Sequence, residues 1–177
     1  MEVTCFVEIP KGSRNKYEYD EERRVMRLDR HLFSSVVYPA DYGFLEEMLS
    51  EDDGRLDALV LVSEPTFPGC RIAGRPVGLF RMRDEQGIDD KVLCVPVEDP
   101  EWAGVHDVED VSLRLQEEIA HFFAVYTELE PHRVTAIEGW ASSAEAEREI
   151  EQARARFLRR EAARIRMRHG EVGLRSA

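Results

Sequence analysis

The chain has 177 residues, of which 43% are hydrophobic and 34% are charged, and its formal net charge is −12 at pH 7. This length and composition suit one globular domain, and the acidic balance argues against a general nucleic-acid-binding protein. No stretch of about 18 apolar residues occurs, and the first residues lack the pattern of a signal peptide, so we expect a cytoplasmic protein without a membrane span.

The first half of the chain is predicted to be β structure. Apolar-rich or alternating runs indicate strands at TCFVEIP, KYEYD, VMRLDR, LDALVLVSEP, RIAGRPVGLFRMRD and KVLCVPV. The segment SSVVYPADYGF is predicted to be a strand that a turn interrupts, because it contains Pro39 and Gly43. Six or seven short strands at close spacing favour a barrel or a sandwich over βαβ units.

The second half is predicted to be helical. An apolar stripe near the 3.6-residue period predicts a helix over residues 110–126. A second helix is predicted from Ser143, which can cap it, to Arg168. The chain is therefore expected to form one α+β domain, a barrel flanked by two helices.

Two acidic loops lie between strong strand predictions. The first contains Asp52 and Asp57 and the second contains Asp84 and Asp89, each pair being separated by four residues. Carboxylates that converge from different loops suit Mg²⁺, and two cations close together can hold a phosphoryl group. Acidic turns between strands are also common in proteins with no metal, so spacing alone leaves both interpretations open.

A phosphate site also requires cations and hydroxyl donors. Arginine offers a planar fork to phosphate oxygens, lysine offers a point charge, and tyrosine can donate a hydrogen bond. The candidates are Lys16, Arg30, Lys91, Tyr38, Tyr42 and Tyr126. Each of them is alternatively a surface cation or a core aromatic residue, since the sequence does not show that they converge.

Seven segments, taken together, carry a resemblance to a known family. They are VEIPKGSRNKYEYD, RLDRHLFSSVVYPADYGF, LDALVL, EPTFPGC, RPVGLFRMRDEQGIDDKVLCVP, IAHFFAVYTELE and EGW, in this order from about Val3 to Ala155. They resemble family I inorganic pyrophosphatases, the bacterial, actinobacterial-type enzymes most closely. The resemblance implies an OB-like five-stranded β-barrel with two flanking C-terminal helices, a pyrophosphatase-like domain over residues 1–155, and a homohexamer.

The resemblance also implies a reaction, the hydrolysis of inorganic diphosphate by a Mg²⁺-activated water without a phosphoenzyme. The implied metal ligands are Glu8, Asp52, Asp57, Asp84 and Asp89, with Glu18 as a further acidic residue of the site. The implied diphosphate-binding residues are Lys16, Arg30, Lys91 and Tyr126. Tyr42 would line the site and donate hydrogen bonds, and Tyr38 is a further candidate.

The signature loop departs from the family pattern. That pattern is Asp-Gly-Asp-Pro-(Leu/Val)-Asp, whereas residues 52–57 here are Asp-Asp-Gly-Arg-Leu-Asp. Gly54 therefore replaces an aspartate that orients and deprotonates the attacking water in the family. Three interpretations stay open: Asp53 takes the vacant place, Asp89 acts as the base at a lower rate, or the chain is a catalytically impaired homologue that binds phosphate compounds or a partner.

Three other features depart from the family. Arg55 stands in place of the proline and is expected either to face solvent or to add a cation at the site. Thr127 replaces the usual lysine, which is expected to weaken diphosphate binding because a charge-assisted contact is lost. Residues 156–177 extend past the usual end as a basic helical extension, and residues 148–177 hold nine arginines and four glutamates. This helix is expected to be solvated, to fold back on the acidic body, or to meet a neighbouring subunit or a polyanion.

Overall fold

The computed structural model describes the backbone of residues 1–173 and the side chains of residues 1–167. The strands are β1 (Val3–Ile9), β2 (Asn15–Asp20), β3 (Val25–His31), β4 (Asp41–Leu49), β5 (Arg55–Val60), β6 (Arg71–Asp84), β7 (Gly87–Ile88), β8 (Lys91–Pro96) and β9 (Ala136–Ser142). The α-helices are α1 (Leu113–Val125) and α2 (Ser143–Gly173), and short 3-10 turns cover Pro100–Trp102 and Val108–Asp110.

Five strands close into a ring, which confirms the expected OB-like barrel. Their order is β1, β4, β5, β8 and β6, and β1 also pairs with β6 to complete the ring. All of these pairs are antiparallel except β5 and β8, which run parallel. The hairpin of β2 and β3 forms a separate sheet, while β7 and β9 pair with β6 outside the ring.

Two apolar clusters lie on opposite sides of the strands, because successive side chains of a strand alternate between its faces. On β5, Leu59 belongs to the cluster that packs against α1, whereas Ala58 and Val60 belong to the cluster that packs against α2. The α1 cluster includes Phe122 and Phe123, which stand at the end of the helix nearest to the site. Burial of these two faces fixes both helices on the barrel.

The predicted helices are confirmed, with changes at their ends. Helix α1 begins at Leu113, after the cap Ser112, and α2 continues past Arg168 to Gly173. Ser143 does not cap α2 with its own oxygen. Its backbone N–H and its hydroxyl both donate to Asp107, over 3.0 and 2.6 Å. Residues 174–177 of the predicted extension lie outside the described residues.

Two strand predictions were wrong in part, and one strand was missed. Residues 34–40 are irregular, and β4 begins only at Asp41 and then runs to Leu49. The LDALVLVSEP strand ends at Val60. Strand β9 was missed because its pairing partner is the second half of β6, 50 or more residues earlier in the chain, and because Gly139 interrupts its pattern with a φ of 114°. Within the described residues, neither helix is long and apolar enough to cross a bilayer.

Candidate active site

One cleft of about 430 Å³ brings together ten of the residues that were predicted for the site. They are Lys16, Glu18, Arg30, Tyr38, Tyr42, Asp52, Asp57, Asp84, Asp89 and Tyr126. They come from the β2–β3 hairpin, the barrel strands, two loops and the end of α1. Lys91 contacts this group from beneath, whereas Glu8 and Asp53 do not line the cleft.

The floor of the cleft consists of Tyr42, Asp57, Asp89 and Lys91. Parallel pairing of β5 and β8 sets Asp57 directly beside Lys91. The Lys91 ammonium lies 3.0 Å from an Asp57 carboxylate oxygen and 2.6 Å from an Asp89 carboxylate oxygen. The Tyr42 hydroxyl donates to the same Asp57 oxygen. Three strands and a loop therefore place two carboxylates against one cation.

Burial dominates the electrostatics of this floor. Burial raises the pKa of Asp89 to about 6, although Lys91 opposes the rise. Burial also acts to lower the pKa of Lys91, which is 1% exposed, but Asp57 and Asp89 raise it above its usual range. Lys91 therefore remains charged, and the carboxylates give it the partners that a buried cation requires. The structure places this lysine against carboxylates and not on the cleft surface, where a phosphate would lie.

The β2–β3 hairpin forms the cation wall, which consists of Lys16 and Arg30. These two residues are direct cross-strand partners. Asp29 accepts from Arg30 and lies 3.6 Å from the Lys16 ammonium, while Glu130 binds the Arg30 guanidinium at 2.7 and 3.0 Å. Glu18 lies 2.9 Å from Lys16. Hairpin register thus sets two cations side by side, with their directions fixed by carboxylates.

Aromatic side chains join the floor to α1. The Tyr126 ring packs against Phe122 and Phe123, with ring centroids 5.3 and 5.5 Å apart, and burial raises the pKa of its hydroxyl to about 12. Tyr38 is 1% exposed and packs against Tyr42, with ring centroids 5.4 Å apart. At neutral pH these phenols keep their protons and can donate hydrogen bonds into the cleft.

The β4–β5 loop (Ser50–Gly54) closes upon itself. The Ser50 N–H donates to the Gly54 carbonyl over 3.1 Å, and the Asp52 carboxylate accepts from the Gly54 N–H over 3.0 Å and from the Ser50 hydroxyl. These bonds lower the pKa of Asp52, with the Ser50 hydroxyl as the largest cause. A Cβ added at Gly54 would lie 3.0 Å from an Asp52 carboxylate oxygen, so the carboxylate fills the space beside Gly54.

Asp53 is not placed to substitute for the missing aspartate. It is exposed, it does not line the cleft, and its backbone adopts a left-handed conformation with a φ of 63°. Its carbonyl oxygen accepts a hydrogen bond from Arg160 of α2. The geometry therefore gives no support to the interpretation in which Asp53 takes the place of the carboxylate at Gly54.

Arg55 does not face solvent, because it packs over the Phe44 ring at 3.9 Å and lies 2.6 Å from Glu21. It is also 3.7 Å from Glu8, which accepts a hydrogen bond from the Tyr19 N–H over 2.7 Å. Burial raises the pKa of Glu8 to about 7, and this carboxylate stands beside the cleft without lining it. Arg55 lines the cleft and supplies a cation that the family pattern lacks.

Comparison with known proteins identifies the family. The family model "Inorganic pyrophosphatase" matches residues 5–158. An inorganic pyrophosphatase of Streptomyces coelicolor is 54% identical over 157 residues, which cover 89% of this chain and 96% of the relative. An inorganic pyrophosphatase of Leifsonia xyli is 51% identical over 145 residues, which cover 82% of this chain and 89% of the relative. The crystal structure of an inorganic pyrophosphatase from Thermus thermophilus superposes with a TM-score of 0.87 at 40% identity, covering 88% of this chain and 91% of that one.

The chain belongs to the inorganic pyrophosphatase family. The resemblance inferred from the sequence is therefore confirmed, and so is the fold that it implied.

The sequence did not point to Arg133, a further cation of this pyrophosphatase cleft. Arg133 and Thr127 both line the cleft. Arg133 donates to Glu85 and lies 3.9 Å from Glu130, the carboxylate that also binds Arg30. Thr127 is 5% exposed and lines the cleft without a charge. Arg133 is a basic residue six positions after Thr127, which is a weak signal in the sequence. Nothing in the sequence shows that the segment between α1 and β9 returns this side chain to the cleft.

Within the described residues, no three acidic, histidine or cysteine side chains converge as a preformed cation site. Two local features account for this. The Lys91 ammonium stands between Asp57 and Asp89. Asp52 accepts from its own loop, and Asp84 accepts from the N–H groups of Gln86 and Gly87 over 2.7 and 3.1 Å.

Proposed function

We propose that the chain hydrolyses inorganic diphosphate to two phosphates in a Mg²⁺-dependent reaction. The observation that carries the proposal is a single cleft with a carboxylate floor facing a wall of cations, in a chain whose relatives are inorganic pyrophosphatases. A magnesium diphosphate contains metal cations, which carboxylates can bind, and phosphate anions, which lysine and arginine can bind.

The donor set fits Mg²⁺ by its chemistry. Asp52, Asp57, Asp84 and Asp89 line one cleft, and hard divalent cations prefer carboxylate oxygens and retain several waters. The raised pKa of Asp89, due first to burial and also to Asp57, indicates negative charge that a cation would stabilise. When bound, such cations lower the pKa of water and neutralise phosphate charge. Asp52 and Asp84 would have to turn from their backbone donors to reach one.

The cation wall holds the diphosphate. Arg30 offers a planar fork and Lys16 a point charge, and their carboxylate partners fix the directions of both. Tyr126 adds a hydroxyl donor from the end of α1. Arg133 supplies the charge that Thr127 does not, from a position six residues further along the chain. Positioning and charge neutralisation are the main contributions a protein makes to phosphoryl transfer.

Asp89 takes the proton of the attacking water. Of Asp53 and Asp89, only Asp89 lines the cleft. Lys91 holds Asp57 and Asp89 together, and Tyr42 fixes the direction of the Asp57 carboxylate by a hydrogen bond. We therefore assign Lys91 a positioning role on the floor.

The alternative is an impaired homologue that binds phosphate compounds or a partner with little turnover. Gly54 and Thr127 are the features that motivate this alternative, whereas the relatives named above are all inorganic pyrophosphatases, which supports the first function. The homohexamer and the cytoplasmic location stay predictions.

Phosphate release from diphosphate with and without Mg²⁺ tests the proposal. We expect Mg²⁺-dependent release, and we expect Asp57→Asn to lower its rate by about 100-fold or more, because the floor loses a charge at the reacting centre. The matched control is Glu138→Gln, which removes a carboxylate that pairs with Arg83 away from the cleft. A folded protein that releases no phosphate above background with Mg²⁺ would favour the impaired homologue.

A further inference from the structure

The basic extension of α2 lies against the β4–β5 loop. Arg156 donates to the Leu49 carbonyl oxygen over 3.0 Å, and Arg160 donates to the Asp53 carbonyl oxygen over 3.3 Å. Residues four apart share one face of a helix, so a single face of α2 reaches both the residue before the loop and the loop itself.

Arg156 is itself held firmly by acidic neighbours. Its guanidinium lies 2.9 Å from Glu149 and 3.6 Å from Glu51, and its side chain is 17% exposed. Glu149 and Glu51 both line the cleft. This arginine therefore links α2, the loop and the edge of the cleft.

We propose that Arg156 and Arg160 are positioning residues that hold the β4–β5 loop, and with it Asp52, at the edge of the Mg²⁺ site. The inference rests on the proposed function and assigns a role to the extension. The family model matches residues 5–158, so Arg160 lies just past the matched residues.

The composition of this loop explains why it needs such support. Its internal hydrogen bonds set its shape but do not attach it to the body of the protein. Gly54 adds backbone freedom, and Arg55 stands where a proline would fix φ, so the unbound loop has more conformations to lose. Two charged donors on a packed helix restrict those conformations.

The charge of Arg160 and its positioning role predict opposite changes in Mg²⁺ affinity when the arginine is removed. A guanidinium near a metal site repels Mg²⁺, so its removal should tighten Mg²⁺ binding if the arginine acted only by its charge. If Arg160 acts by holding the loop, its removal should weaken binding, because Asp52 then has to be ordered when the cation arrives. The sign of the change therefore separates the two effects.

The experiment measures Mg²⁺ binding to the full chain by isothermal titration calorimetry without diphosphate. We expect Arg160→Met, which keeps the apolar stem, to raise the Kd by about three- to tenfold, the value of one ordinary hydrogen bond, because the bond to the Asp53 carbonyl oxygen is long and near the surface. Arg160→Lys, which retains a charged donor with a different reach, should recover part of the affinity. The matched control is Arg159→Met, which removes the same charge from an exposed neighbour on α2 and should bind as the wild type does.

Two further readouts distinguish positioning from a loss of fold. Amide hydrogen exchange of residues 49–55 in the metal-free protein should be faster in Arg160→Met, while exchange in β5 and β8 should be unchanged. The Mg²⁺ concentration for half-maximal rate should rise, with kcat at saturating Mg²⁺ within about twofold of the wild type.

An Arg160→Met variant that binds Mg²⁺ as tightly as Arg159→Met, or more tightly, overturns the inference. If Arg160→Met does not fold, Arg160→Lys gives the same test, and unchanged binding together with unchanged loop exchange in that variant counts against the inference. A wild-type chain that binds no Mg²⁺ overturns the proposed function first. If the wild type binds Mg²⁺ and hydrolyses diphosphate, but the Arg160 variants bind Mg²⁺ as the wild type does, only the inference about Arg160 is overturned.

Discussion

The floor of the cleft and the β4–β5 loop both carry predicted metal ligands, but they are held in different ways. Asp57 is placed by the pairing of β5 with β8, and Asp89 lies in the short loop that leads into β8, where its N–H donates to the Met82 carbonyl oxygen over 2.9 Å. Both carboxylates share a cation that is 1% exposed. Asp52 sits in an exposed loop whose shape comes from its own hydrogen bonds, whose base is the strand pair of Leu49 with Arg55, and which α2 contacts through Arg160.

This difference shows where a pyrophosphatase cleft can change. Replacing a charged residue of the floor leaves buried charges without partners, which lowers the free energy of unfolding by several kcal/mol. A residue replaced in the loop changes an exposed turn whose contacts can rearrange at lower cost. The departures at Gly54 and Arg55 fall at the loop, whereas every predicted floor residue is retained.

The largest expected effect is on the floor. Lys91→Met leaves Asp57 and Asp89 unpaired, so we expect the free energy of unfolding of the metal-free protein to fall by about 3–5 kcal/mol. Urea unfolding at fixed protein concentration measures it. The matched control is Lys11→Met, which removes an ammonium that donates to the Val62 carbonyl oxygen over 3.0 Å. If Lys91→Met and Lys11→Met lower the free energy of unfolding by the same amount, the pairing of Lys91 with the two carboxylates gives the floor no special stability.

The next effect concerns the loop. Gly54→Asp should raise the rate of diphosphate hydrolysis at saturating Mg²⁺ by about tenfold, because a positioned base contributes roughly 10²–10⁴ when its geometry is ideal. The new Cβ would lie 3.0 Å from an Asp52 carboxylate oxygen and 3.2 Å from the Ser50 hydroxyl, so Asp52 must shift by a few tenths of an ångström.

Gly54→Ala is the control for this change, since it adds the same Cβ without a carboxylate. We expect it to give no increase in rate. Equal rates for the two variants would show that the missing carboxylate does not limit turnover, and that the loop matters only through Asp52.

The smallest expected effect concerns Thr127, which lines the cleft without a charge. Thr127→Lys should lower the KM for diphosphate by about fivefold with little change in kcat, because a charge-assisted contact is roughly twice as strong as a neutral one. Steady-state kinetics at fixed Mg²⁺ measures it. Thr127→Val, which keeps the shape and removes the hydroxyl, is the control. An unchanged KM in Thr127→Lys would indicate that, with Arg133 present, a further cation at position 127 does not strengthen diphosphate binding.

Much of this molecule could be predicted from the residues alone. Alternating runs predicted most strands, the 3.6-residue apolar period and a capping serine predicted the two helices, and the resemblance of the seven segments to a family implied the five-stranded barrel and the roles of ten residues that line the cleft. These predictions succeeded because strand and helix periods are local properties of the sequence, and because a chain that resembles a family shares its fold.

Only the tertiary structure decided the remaining features, which depend on register and long-range contact. The bond from Arg160 to Asp53 joins residues 107 positions apart, and Arg133 reaches the cleft through a turn at His132, where φ is 63°. Lys91 lies between two carboxylates because β5 and β8 pair in parallel. The sequence by itself determined which charges this protein carries to its cleft, while packing decided which of them face the cleft and which hold its walls.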